Sequence, residues 1–156
     1  MSEFVTAVAQ HKFAGLTAEQ VFDAWVDGDL VRTWMGRHLK QRDAAAEVTR
    51  IEVDPVVGGR FLFADTRPES EAWGTYRTLD RPGRIVFSWF VSAEEETEDN
   101  SLVTIDIVPL GTGCDVTIKH EMSAEWADYV GQTANAWESM LTTIDNMFSG
   151  ASDRAG

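Results

Sequence analysis

The sequence predicts an α+β domain in which a curved antiparallel sheet of about six to seven strands wraps a long C-terminal helix, with two short helices after the first strand. Three observations carry this. A capped helix start follows the first strand, strand-like segments punctuated by turns fill the middle of the chain, and the last long segment has one apolar helical face. A chain of 156 residues fits one domain, and at this size roughly 70% of the unfolded surface can be buried on folding. Residues 1–148 are expected to form that domain, and 149–156, with nothing to bury, to fray as a tail.

The first strand is read as Phe4 to Phe13. In LTAEQVF, Thr17 can cap a helix with Gln20 as its capping-box partner, while Leu16 and Val21 occupy the hydrophobic-staple positions. Val21, Phe22 and Trp25 make its apolar stripe. Asp27, Gly28 and Asp29 interrupt it before a second short helix with Leu30, Val31, Trp34 and Met35, for which Gly36 is the expected stop.

From about Ala46 the composition turns to strands. In IEVDPVVGGRFLF, Ile51 and Val53 share one face and Glu52 and Asp54 the other, whereas Phe61 and Phe63 point one way and Leu62 and Ala64 the opposite way. Gly58 and Gly59 form a hairpin between strands, not a phosphate loop before a helix. Arg81 to Arg84 place Pro82 and Gly83 as a type II turn would need, joining a strand around Trp73 to Leu79 to one around Ile85 to Val91. Pro109 to Gly113 form a further turn, between a strand with Val103, Ile105 and Ile107 inward and one with Cys114, Val116, Ile118 and His120 on one face. The acidic run SAEEETEDNS lacks the spacing of a calcium loop and is read as a solvated connection.

The last helix is expected from Ser123 to about Phe148, with Val130, Trp137, Leu141, Ile144 and Phe148 on one face and a length of roughly 37 Å, enough to cross a sheet. If the sheet bends around it, the space between need not close. Phe61, Phe63, Phe87 and Trp89 would then line a gap, with Trp34 and Met35 from the short helices.

Composition narrows the functional classes. With 26 acidic against 13 basic residues, a net charge of −13 repels phosphate backbones and anionic lipids, so nucleic acid is not an expected partner. No run of about 18 apolar residues and no secretory leader is seen, so a cytoplasmic protein without membrane insertion is expected. The lone Cys114 excludes an intrachain disulfide and reads as a buried thiol. His11, His38 and His120 show no metal spacing; His38 looks solvated, and His11 would approach His120 if the terminal strands pair. No nucleophile elbow, P-loop or dinucleotide fingerprint occurs, and Glu52, Asp54 and Asp106 fall on the wet face.

The segments LTAEQVFDAW, TWMG, IEVDPVVGGRFLF, WGTYRTLDRPGRIVFSW and NAWESML, in this order over nearly the whole chain, resemble the single-domain relatives of the activator of Hsp90 ATPase within the START-like (SRPBCC) superfamily of helix-grip folds. Trp34 and Gly36 match that family's Trp-x-Gly element, Gly58, Gly59 and Phe61 its glycine-glycine-x-phenylalanine turn, Trp89 its strand tryptophan and Trp137 that of its last helix, while His120 stands where members often carry histidine. The resemblance implies a hydrophobic cavity between sheet and long helix, holding a small apolar or amphipathic molecule, without metal or organic cofactor. Hsp90 is a further partner to consider. Because the eukaryotic co-chaperones carry a separate N-terminal binding domain and this sequence opens on the START-like part, chaperone activation is not the expectation.

The expected ligand-contacting set is Trp34, Met35, Phe61, Phe63, Trp73, Phe87, Trp89, His120, Trp137 and Leu141, with no catalytic residue assigned. Trp34 and Trp89 bring indole N–H groups that need partners when buried. Two alternatives remain: a cyclase- or hydrolase-like enzyme using His120 as proton shuttle, and a partner-binding regulator.

Overall fold

The computed structural model describes residues 4–67, 71–91, 96–97 and 101–149. In chain order these form β1 (Phe4–Phe13), α1 (Ala18–Val26), α2 (Gly28–Arg42), β2 (Val48–Val53), β3 (Arg60–Asp65), β4 (Glu71–Asp80), β5 (Arg84–Ser88), β6 (Leu102–Leu110), β7 (Gly113–Ser123), a 3₁₀ segment (Ala124–Tyr129) and α3 (Val130–Ser149). The seven strands make one antiparallel sheet ordered β1-β7-β6-β5-β4-β3-β2. Strands that follow each other in sequence pair, except that β1 crosses to the far end of the meander and pairs with β7, Phe4 opposite Ser123 and Phe13 opposite Cys114. The result is the helix-grip α+β architecture, with α3 packed on β1 and α2, α2 on β2 and α1 on β6.

Alternation decides which side is the core. Val103, Ile105 and Ile107 of β6 face the same way as Val116 and Ile118 of β7 and Ala9 and Phe13 of β1, and all are buried in one core cluster with Leu141 and Ile144 of α3. Cys114 is also buried, which with Asp115 and Asp145 nearby pushes its thiol up to about 11. The start of α1 is held by the reciprocal bonds of Thr17 and Gln20, with Leu16 and Val21 buried beside it. Asp27 ends α1 and begins α2: its N–H bonds to Asp23 O, and its carboxylate accepts from the N–H groups of Asp29 and Leu30.

Several local expectations give way. α2 passes through Gly36 and ends at Arg42, because Leu39 on the following turn is fully buried. Burying a leucine contributes about 1.5–3 kcal/mol, which outweighs the roughly 1 kcal/mol cost of a helical glycine. The turn after β4 is not type II. Gly83 has no positive φ; the Arg81–Pro82 peptide is cis, and the Gly83 N–H reaches Asp80 O at 2.8 Å, as in a type VI turn. β5 stops at Ser88 instead of Val91, with Phe90 alone bridging back to Trp73. Ser123 caps the 3₁₀ segment, so α3 starts only at Val130 and its 20 residues span about 30 Å. The acidic run at 92–95 and 98–100 and the expected tail beyond Ser149 lie outside the described residues. Among the described residues no helix is long and apolar enough to cross a membrane, and no three His, Cys, Asp or Glu side chains group as metal ligands.

Candidate functional site

His120 is the last polar residue on the inner face of β7, continuing the parity of Val116 and Ile118, and only 6% of it is exposed. Two neighbours satisfy its ring. The indole Nε1–H of Trp137, from α3, donates to Nδ1 at 3.2 Å, and Nε2 lies 2.7 Å from Oγ of Ser101, just ahead of β6. An indole nitrogen can only donate. Nδ1 must therefore offer its lone pair, the neutral ring carries its hydrogen on Nε2, and that hydrogen is donated to Ser101. Burial pushes the imidazole down to about 4, so it is neutral near pH 7. His11 does not join this group. Although β1 and β7 pair, His11 stands opposite Val116 and Ala7 opposite His120, four residues or roughly 13 Å along the strand. His11 instead contacts Asp145 of α3 at 2.8 Å.

Trp89 supplies the neighbouring wall. Its ring meets Trp137 edge to face at 5.1 Å, stacks on Phe61 at 5.9 Å and meets Phe63 at 6.0 Å. Between this wall, α2, α3 and the 3₁₀ segment lies a cavity of about 490 Å³. Met35, Phe63, Trp89, Trp137 and Met140 make its apolar lining, with His120 and Ser101 as buried polar groups. Trp126, Tyr129 and Val91, all exposed, form part of the rim, as does the Arg67 guanidinium, which is held in a two-point pair by Asp65. A second cleft of about 630 Å³, bordered by α2, β2 and α3, is larger but has a different character. Two of its polar side chains are engaged internally: Lys40 donates to Ala44 O and Ala46 O, and Gln41 to Thr143. It lacks an aromatic wall.

Of the residues expected to contact a ligand, Met35, Phe63, Trp89, His120 and Trp137 come together on the cavity. Phe61 and Phe87 lie behind the wall, 5.3 Å apart edge to face. Leu141 and Trp34 belong to the closed core, and the Trp34 indole hydrogen is already donated to Ala24 O at 2.7 Å. Trp73 faces the other side of the sheet: it pairs with Leu62, while Ala72 opposite Phe63 takes the inward position, so Trp73 borders a shallow outer depression with Arg50 and Arg60. His38, expected in solvent, is buried on the cavity wall with Nδ1 3.3 Å from Ser139 Oγ. Its spacing from Trp34 could have revealed it, since four residues on a helix return to the same face. Ser101 has no such local signal, because only the β6–β7 pairing brings it beside His120.

The model of the family described as Activator of Hsp90 ATPase homolog 1-like protein matches residues 16–149. Among solved structures, a protein from Nitrosomonas europaea superposes with a TM-score of 0.74 at 12% identity, over 96% of this chain and 97% of that one. One from Chromobacterium violaceum gives 0.71 at 20% identity, covering 92% and 96%. One from Rhodobacter sphaeroides gives 0.70 at 19% identity, covering 95% and 99%. Similarity at this level of identity shows the shared fold. No curated protein matches the sequence significantly.

Proposed function

This chain belongs to the family of Activator of Hsp90 ATPase homolog 1-like proteins, and from that premise we propose that it binds one small, mainly apolar molecule in the cavity between sheet, α2 and α3. Family and fold both fit a ligand-binding cavity. The single observation that carries the reading is the composition of the cavity: an aromatic and methionine lining, with the buried polar pair His120 and Ser101 at its inner end and His38 on the α2 wall. Its volume, about 490 Å³, falls in the range of small-molecule sites. Burying about 200 Å² of apolar ligand surface would contribute roughly 5 kcal/mol before the cost of immobilising the ligand.

The ring orientation of His120 supports binding over acid–base catalysis. To activate a serine or a substrate, Nε2 would need its lone pair free, with Nδ1–H held by an acceptor. Here Trp137 imposes the opposite arrangement. The proposal is tested with N-phenyl-1-naphthylamine, a neutral apolar fluorophore. Saturable binding with about one-to-one stoichiometry and quenching of tryptophan emission is the expected result. Absence of saturation would mean that side chains, not a ligand, fill this space in solution.

A further inference from the structure

The hydrogen bonds at the inner end of the cavity all run in one direction. Trp137 can only donate, so His120 accepts at Nδ1 and donates from Nε2, and Ser101 Oγ receives that hydrogen. The hydroxyl hydrogen of Ser101 is left over. Among the described residues Ser101 Oγ has no other hydrogen-bond partner, although Ser101 is only 5% exposed and lines the cavity. A buried hydroxyl with an unspent hydrogen asks for an acceptor.

We propose that the ligand carries a neutral pure acceptor, a ketone, ester or amide carbonyl, which receives the Ser101 hydroxyl hydrogen, and that a free carboxylate is rejected; this rests on the cavity being the binding site. An alcohol oxygen could accept the same hydrogen but would bring a donor of its own into an apolar lining, where it costs free energy unless paired. A carboxylate faces two obstacles. Apart from two imidazoles, the neutral His120 and His38, which faces Ser139 Oγ through Nδ1, the ionisable groups that carry charge on the cavity are one cation, Arg67, against two carboxylates, Asp65 and Glu71, and Arg67 is already bound by Asp65. The polar end next to Ser101 is buried and its His120 is neutral, so an anion there loses hydration without gaining a counterion.

Three naphthalenes of nearly the same shape separate these terms: 2-acetylnaphthalene (ketone), 2-isopropylnaphthalene (no acceptor) and 2-naphthoate (anion). In wild type all are titrated by tryptophan quenching, beside Ser101→Ala and Ser101→Thr. Ser101→Ala is expected to weaken the ketone about 3- to 10-fold and leave the isopropyl compound unchanged, with Ser101→Thr restoring the preference. The stretching band of the bound, carbonyl-labelled ketone should move to higher wavenumber in Ser101→Ala only, and naphthoate should bind at least about tenfold more weakly than the ketone. If the ketone and the hydrocarbon respond alike to Ser101→Ala, or naphthoate equals the ketone, the acceptor inference is wrong while the binding reading stands. If none of the three naphthalenes nor N-phenyl-1-naphthylamine binds wild type, the binding reading fails and takes the inference with it.

Discussion

Trp137 and His120 stand 3.2 Å apart, indole Nε1 to imidazole Nδ1, and this one contact sets the proton position on a ring that burial holds toward neutrality. A protonated His120 would turn a second N–H toward the indole hydrogen. The contact therefore acts in the same direction as burial.

The first prediction follows from that shift. The folded-state value of about 4 lies below the unfolded value of 6.5, so the unfolded chain takes up the proton first. The contribution is complete above about pH 6.5 and falls away as pH drops toward 4, by about 2–3 kcal/mol at pH 4.5. His120→Gln, which can accept from Trp137 and donate to Ser101 without titrating, should remove this slope. Urea unfolding of both proteins at pH 7 and pH 4.5 checks it; parallel losses would refute the assignment.

Ligand affinity should separate Trp89 from His120. Trp89→Ala removes a ring that faces the cavity and should weaken N-phenyl-1-naphthylamine by about tenfold or more, equivalent to about 60 Å² of lost apolar contact. His120→Gln should change it by no more than about 1 kcal/mol. Equal effects in the fluorescence titration would argue against an apolar driving force.

A third expectation contrasts two neighbouring indoles. Trp25 and Trp34 meet edge to face at 4.8 Å and both are buried, yet Trp34 Nε1 donates to Ala24 O while Trp25 Nε1 has no partner. Replacing either by phenylalanine deletes the same atoms. Trp34→Phe also orphans a carbonyl, whereas Trp25→Phe removes an unsatisfied donor, so the former should cost about 1–3 kcal/mol more. Denaturant midpoints of the two variants decide the order.

Gly74 should not tolerate a side chain. A Cβ there would lie 1.9 Å from the Ser88 carbonyl oxygen, where β4 closes on the end of β5. Gly74→Ala is expected to cost about 1–3 kcal/mol and to disturb Trp89, the next residue after Ser88. A thermal midpoint and probe affinity both unchanged from wild type would contradict it.

Features set by near neighbours were legible in the sequence. The bounds of β1, the Thr17–Gln20 cap and the inward parity of His120 each depend on a few adjacent residues, and the structure has them as expected. The family and fold were legible too, because the order of glycine, proline and tryptophan elements spans the chain. What failed was decided at a distance. Gly36 reads as a helix stop until Leu39 finds a core to enter, and His38 reads as solvated until α3 covers it. Trp73 looks like a wall residue by type, but pairing with Leu62 turns it outward. Ser101 could be found only after β6 and β7 had been paired.

The placement of β1 has a consequence for how the chain is made. It is synthesised before the other six strands of the sheet, and its partners on β7 lie more than one hundred residues further on, from Cys114 to Ser123. At about 5–20 residues per second, the ribosome leaves this strand without its hydrogen-bonding neighbour for roughly 5–20 s. The β2–β5 meander can form meanwhile from short-range pairings, whereas closing the sheet onto β1 waits until β7 has been made. During that interval Ala7, Ala9 and Phe13 are open to wrong partners, so crowding on the polysome threatens this domain through β1, before a cavity exists.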